Sequence, residues 1–317
     1  MSLAVCLLAY SMVVAVLGPP LVLSATRTGA APRLGVTVWL ALIGSVLLAW
    51  AGGAVLFVAQ LADSWDHLGQ VLVGCVAGLR LIVLGGYGRV VQAGLLALAA
   101  LSVVALAMLG VRVVIALRRA RRHTRAHALT ALIAAGESPR GPGGALVIDS
   151  AQPAVYCLAS RPHTIVITRA ALEALGDHQL HAVMAHEQAH LRGRHHHLLA
   201  FTGALSKILP NPRLFTEGAT DIARLLEMCA DDAAARRHSR DTVADALIAL
   251  TLPAPPATPV TAMAAAGVSV TQRVQRLVFP PNPTPARLGL TLILAGVLLS
   301  PLLTVGMTAL APMLCAV

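Results

Sequence analysis

The sequence predicts a mainly helical membrane protein, with four transmembrane helices and an α+β domain inserted between the third and the fourth. Three observations predict it. Of 317 residues, 57% are hydrophobic and 12% charged, and the mean hydropathy is +0.76, far from a soluble average. Three apolar runs come early and one late, each near or above the roughly 20 residues needed to cross a bilayer. Between the third and fourth runs the composition shifts, and nearly all the acidic residues fall there.

The first run spans about Leu3 to Leu23, and Gly18-Pro19-Pro20 inside it predicts a kink or break near its end. No basic residue precedes it, so it reads as a retained helix rather than a signal peptide. A short loop with Arg27 and Arg33 leads to the second run, about Gly35 to Leu61. Residues 62–89, opened by Asp63, Trp65, Asp66 and His67, are apolar and Gly-interrupted, which suits the membrane interface. The third run is about Val90 to Leu117 and the fourth about Leu288 to Ala311.

Charge sets the orientation. The Arg27/Arg33 loop and the cluster Arg118, Arg119, Arg121, Arg122, Arg125 lie on one side if the chain crosses twice between them, and basic flanks stay cytoplasmic. This puts the N-terminus outside a plasma membrane, residues 118–287 in the cytoplasm and the C-terminus outside. The net charge of +10 thus belongs to membrane flanks, and with aromatics at 3% no direct nucleic-acid partner is expected. Five scattered Cys form no C-x-x-C pair, so neither a disulfide framework nor a cysteine metal site is indicated.

Residues 118–287 divide into a helix around Arg125 to Ala135, a Pro/Gly turn over Ser138 to Gly144, a strand Ala145–Asp149 and a strand Thr164–Thr168. A short helix from Ala170 follows, then a helix capped by Asp177. Leu198 to Leu209 is too short to span a membrane and ends at Pro210. Helices over about Thr220 to Arg237 and Thr242 to Leu250 come next, then a loop or lid with Pro253, Pro255, Pro256 and Pro259. Phe279 to Pro285 links to the last span.

Within the Asp177 helix stands His186-Glu187-Gln188-Ala189-His190. Residues four apart share a helix face, so in H-E-x-x-H both imidazoles reach one zinc while the Glu addresses a water on it. From the 12 His and five Glu, chance gives about 0.007 copies in a chain this long. A catalytic zinc takes three protein ligands, and two readings compete for the third. Glu227 lies 37 residues after His190, in Glu227-Met-Cys-Ala-Asp231, with two carboxylates one turn apart, one to bind metal and one to orient a ligand His. Alternatively, Gly193 and His196 complete H-E-x-x-H-x-x-G-x-x-H, the metzincin pattern. Three consecutive His make that hit easy, and Glu227 is the preferred ligand.

H-E-x-x-H followed by E-x-x-A-D, between a third and fourth transmembrane helix, resembles the BlaR/MecR-type integral membrane metallopeptidases, whose domain is similar to that of the HtpX-type proteases. The resemblance implies a zincin-like (gluzincin) domain with one zinc per chain held by His186, His190 and Glu227, Glu187 as general base and Asp231 as support. It also matches Arg273, in Arg273-Val-Gln-Arg276-Leu, to a late Arg of the family. H-E-x-x-H hydrolases commonly bind extended substrate on a strand before the motif helix, and Thr164–Thr168 is the expected edge.

The implied activity is peptide-bond cleavage, with a cytoplasmic BlaI-like transcriptional repressor as the substrate. The chain ends soon after its fourth run, so the penicillin-binding sensor of that family is not expected here. Two alternatives are HtpX-like quality control of membrane proteins and a non-catalytic membrane scaffold or metal sensor using His178, His181 and His195 to His197 as extra ligands.

Overall fold

The computed structural model describes residues 3–63, 88–136, 140–158, 164–251 and 270–314. Two long apolar helices open the chain, α1 (Leu3–Thr26) and α2 (Pro32–Asp63), followed by α3 (Gly88–Ala135). A small sheet and two helices come next: β1 (Leu146–Ile148), β2 (Val155–Leu158), β3 (Thr164–Thr168), α4 (Arg169–Ala174) and α5 (Asp177–Arg192). Then follow α6 (His195–Ile208), α7 (Arg213–Ala235), α8 (Arg240–Thr251), a helical stretch over 270–278, and α9 (Pro283–Leu314). Most of the expected 62–89 segment and the Pro253 to Pro259 segment lie outside the described residues.

Four helices are long and apolar enough to cross a membrane, over Leu3–Thr26, Pro32–Ala59, Ala97–Ala135 and Pro283–Pro301. Their outer faces bear exposed large side chains, among them Met12, Leu48, Val55, Leu101 and Leu292. Water would penalise such a surface, whereas lipid is its natural solvent.

Two helices differ from the sequence reading. α1 does not end at Pro19-Pro20 but runs through both to Thr26. There Gly18 lets α2 approach so closely that a Cβ on it would lie 2.7 Å from Leu42. The third span and the expected helix around Arg125 are one 48-residue helix, about 72 Å long at ~1.5 Å per residue. No Gly or Pro interrupts it between Gly110 and Gly136, and Ala, Leu and Arg sustain a helix in or out of the bilayer.

The sheet has the order β1-β3-β2, with β1 parallel and β2 antiparallel to β3. Thr164–Thr168 is therefore the central strand, paired on both sides, and not the expected edge. The edge beside the motif helix is β2, a four-residue strand the sequence reading missed because so short a run shows no usable alternation. The C-terminal end of α3 covers one face of the sheet through Ala128, Ala131 and Ala135, packed on Leu146, Leu158 and Val166. Ile165 and Ile167 point the other way, toward Leu180, Val183 and Met184 of α5, as the period of two requires.

The largest core joins the apolar helices to α7. Trp39, Leu42, Ile43 and Val46 of α2 pack with Leu214, Phe215, Ile222, Leu225 and Met228 of α7 and Leu290 of α9. Gly218 makes room for this, since a Cβ there would sit 3.1 Å from the Trp39 ring. The helix that carries Glu227 and Asp231 is thus seated on the membrane helices.

Candidate metal centre

α5 begins where the Gln179 side chain reaches back to accept from the Gly176 backbone N–H at 3.0 Å, and Leu180, Val183 and Met184 bury one side of the helix in the core. That burial fixes its rotation, and turns His186 and His190 toward α7 and Glu187 toward β2. His186, His190 and Glu227 each offer a ligand atom, all within 4.8 Å of one another. The two Nε2 atoms are 3.1 Å apart, and each lies 3.5 Å from a different Glu227 oxygen. Nitrogen and oxygen donors bound to one tetrahedral zinc stand ~3.3 Å apart, so the triangle fits that ion.

The far side of each candidate ligand is held as well. His186 donates through Nδ1 to Asp231 Oδ1 at 3.0 Å, which leaves Nε2 free for a metal. Asp231 is fully buried and takes a two-pronged contact from Arg273, Nε to Oδ2 at 2.8 Å and Nη2 to Oδ1 at 2.6 Å. The third Arg273 nitrogen reaches Glu227 Oε2 at 3.1 Å. One guanidinium, delivered by the 270–278 stretch, therefore fixes both carboxylates of α7.

His190 Nδ1 faces His195 Nδ1 at 2.9 Å. His195 folds back there because α5 stops at Gly193, where a Cβ would collide with the His195 ring, and because Arg194 takes a left-handed conformation with φ of 51°. The sequence reading held His195 only as an extra ligand of the scaffold alternative. His196, the alternative third ligand, is outside the His186/His190/Glu227 group, and its ring lies 4.0 Å from that of His197.

Glu187 stands in a cavity of about 230 Å³ with His186, Glu227 and Arg273, walled on one side by Val155 of β2 and on another by Val243 and Leu247 of α8. Burial raises its carboxyl above the ordinary range, while His186 and a hydrogen bond from the Cys157 thiol pull the other way. The Cys157 thiol, pushed up to about 12 by burial and then by Glu187, stays protonated and has its hydrogen to donate. No sequence signal marked Cys157.

Electrostatics separate the two imidazoles. Burial lowers His186, but hydrogen bonds to Asp231 and Glu227 outweigh it and lift the ring to about 9. His190 goes to about 4, mainly by burial. Burial would raise Glu227 and Asp231, yet each is held down at about 2, Glu227 by His186 and Arg273 and Asp231 by Arg273 and His186. Both are carboxylates at neutral pH.

No curated protein and no solved structure matches the chain. A family model does: Peptidase family M48 matches residues 116–215, from within α3 to the start of α7. The matched stretch includes His186, Glu187 and His190 and stops short of Glu227. It implies metallopeptidase activity on protein or peptide substrates, set among four apolar helices that indicate a membrane protein.

Proposed function

We propose that the chain is an integral-membrane zinc endopeptidase whose site is His186, His190 and Glu227 with Glu187 as general base. The observation that carries it is the 4.8 Å clustering of those three ligand groups beside a half-buried Glu187, within and next to the M48-matching stretch. Zinc, when bound, would lower the pKa of water toward ~7 and polarise the scissile carbonyl. The protein supplies the rest. Glu187 accepts the proton of the attacking water and hands it to the leaving amine. Asp231 and His195 orient the ligand rings, and Arg273 keeps Glu227 and Asp231 aligned.

The β2 edge, running past the site from Val155 to Cys157, offers backbone groups to an extended substrate. The apolar wall of Val243 and Leu247 favours an apolar side chain next to the cut bond. In this reading residues 1–117 and 288–317 form the membrane part, and 118–287 face the cytoplasm of a cell whose plasma membrane the chain spans. The task is regulatory cleavage of a BlaI-like repressor. The packing of α7 on α1 and α2 supports that role, because a change in the membrane helices reaches Leu226 and Met228, which flank Glu227. The M48 match supports a second reading, HtpX-like turnover of membrane proteins.

Two experiments test the proposal. Zinc per chain in detergent-purified protein should fall from one toward zero in Glu227→Ala and stay at one in His196→Ala; the reverse pattern refutes the ligand set. Glu187→Gln should keep its zinc and lose peptidase activity by about 10²-fold or more. Used as a trap in cells, that variant should retain one small DNA-binding protein for the regulatory role, and many membrane proteins for the turnover role.

A further inference from the structure

The motif helix separates two cavities. The site lies on one side, and on the other α5 contributes Ala185, Ala189, Arg192 and Gly193 to a cavity of about 530 Å³, within the size range of small-molecule sites. Four arginines line it, Arg33 from α2, Arg192 from α5, and Arg236 and Arg237 from the end of α7. No acidic residue lines it, and among the described residues none of the four has a carboxylate partner. Arg192 and Arg237 each make only a long contact, 3.4 Å, to the neutral Gln188 amide oxygen. Elsewhere the arginines of this region are matched: Arg224 with Asp221, Arg273 with Asp231 and Glu227, Arg276 with Asp232.

Unmatched guanidinium groups converging on one concavity repel each other, and an anion relieves that repulsion. The floor is apolar, made by Val36, Leu198 and Leu226, the first and last buried. Arg33 lies in the first turn of α2, at the end of a candidate membrane span. A charged rim over an apolar floor at the end of a spanning helix suits a phospholipid headgroup with its glycerol backbone, since basic residues beside membrane helices attract such anionic groups.

We propose that this cavity binds a phosphate-bearing anion, the headgroup of an anionic membrane phospholipid, through Arg33, Arg192, Arg236 and Arg237. The cavity also contains His195, whose ring touches His190, so the bound headgroup and the metal ligand share one side chain. The site stands on charge and shape and does not depend on the peptidase activity.

The test uses the full chain in mild detergent, with retained lipid counted by native mass spectrometry after addition of phosphatidylglycerol or phosphatidylcholine, and inorganic phosphate titrated separately. Phosphatidylglycerol should bind at one per chain in preference to phosphatidylcholine. Arg33→Gln/Arg236→Gln should weaken it by about tenfold or more for each guanidinium removed, while Arg118→Gln/Arg119→Gln, which removes equal charge from α3 outside the cavity, should not. Inorganic phosphate binding with the same dependence on variants, without lipid retention, upholds the anion site and assigns it to free phosphate. Equal weakening in both double variants, or none in the cavity variant, overturns the proposal. Both substituted positions are exposed, and an unchanged unfolding profile shows that each variant is folded; should the double variant unfold, Arg236→Gln alone decides.

Discussion

Arg273 and Asp231 form the innermost ion pair of the site, two parallel contacts of 2.8 and 2.6 Å with Asp231 wholly shielded from solvent. The pair ties the 270–278 stretch to α7 across 42 residues of chain. Since Asp231 also accepts from His186 Nδ1, the guanidinium sets the orientation of a proposed metal ligand. In the proposed site, zinc affinity and fold stability are therefore coupled through one residue.

Removing that guanidinium leaves a buried carboxylate unpaired. Arg273→Gln should lower stability by about 3 kcal/mol and zinc affinity by about 10- to 100-fold. Arg273→Lys should recover only part of either, because an ammonium cannot span both Asp231 oxygens and Glu227. Thermal unfolding in detergent with and without zinc, and competition with a chelator, read the two effects. A variant with weakened zinc binding and unchanged metal-free stability would separate what the geometry couples.

Protonation of His186 gives the second prediction. Its folded pKa, about 9, stands above the ordinary 6.5, so in the metal-free protein the proton adds stability that is complete below 6.5 and is lost as pH rises through about 9. A metal takes only the neutral ring. Zinc uptake near about pH 7.5 should thus release close to one proton, and apparent affinity should rise with pH until about 9. Calorimetry in two buffers of different ionisation enthalpy measures it, and release near zero would show His186 already neutral.

Much of the candidate site was legible because helical spacing is rigid. His186, Glu187 and His190 share a face by arithmetic alone, and Glu227 with Asp231 repeat that arithmetic on a second helix. What brings the two helices together is tertiary: Arg273 reaches Asp231 across 42 residues, and no local rule marks it as more than a flank arginine. His195 was obscure because its position depends on the left-handed turn at Arg194. The β2 edge was missed for want of length, and with it Cys157. The four apolar runs were plain, but the end of the third was not, since helix propensity does not report where the bilayer stops.

The membrane helices and α7 meet at Asp221. Its carboxylate accepts from Trp39 Nε1 and Thr26 Oγ1, both at 2.7 Å, and from Arg224 at 2.8 Å, while Arg224 Nη2 also donates to the Thr26 carbonyl at 2.9 Å. Trp39→Phe deletes one charge-assisted hydrogen bond and also the part of the indole that packs over Gly218, so it should cost at least about 1.5–3 kcal/mol. Asp221→Asn should cost at least as much, because the Arg224 charge then loses its partner. If α7 transmits changes in α1 and α2, both variants should also alter peptidase activity at unchanged zinc content. Activity that stays constant while stability falls would restrict Asp221 to a structural role.

Cys157 faces Glu187 from the β2 edge. Burial raises the Glu187 pKa, and the thiol opposes it by donating to the carboxylate. Cys157→Ala removes the donor, so the Glu187 pKa should rise and the acidic limb of kcat/KM should move to higher pH, with the greatest loss of activity on the acid side and little at the optimum. Cys157→Ser restores a hydroxyl donor and should restore the limb. A void alone would depress kcat/KM at every pH and would not be corrected by Ser, so the pH profile distinguishes positioning of the base from simple loss of packing.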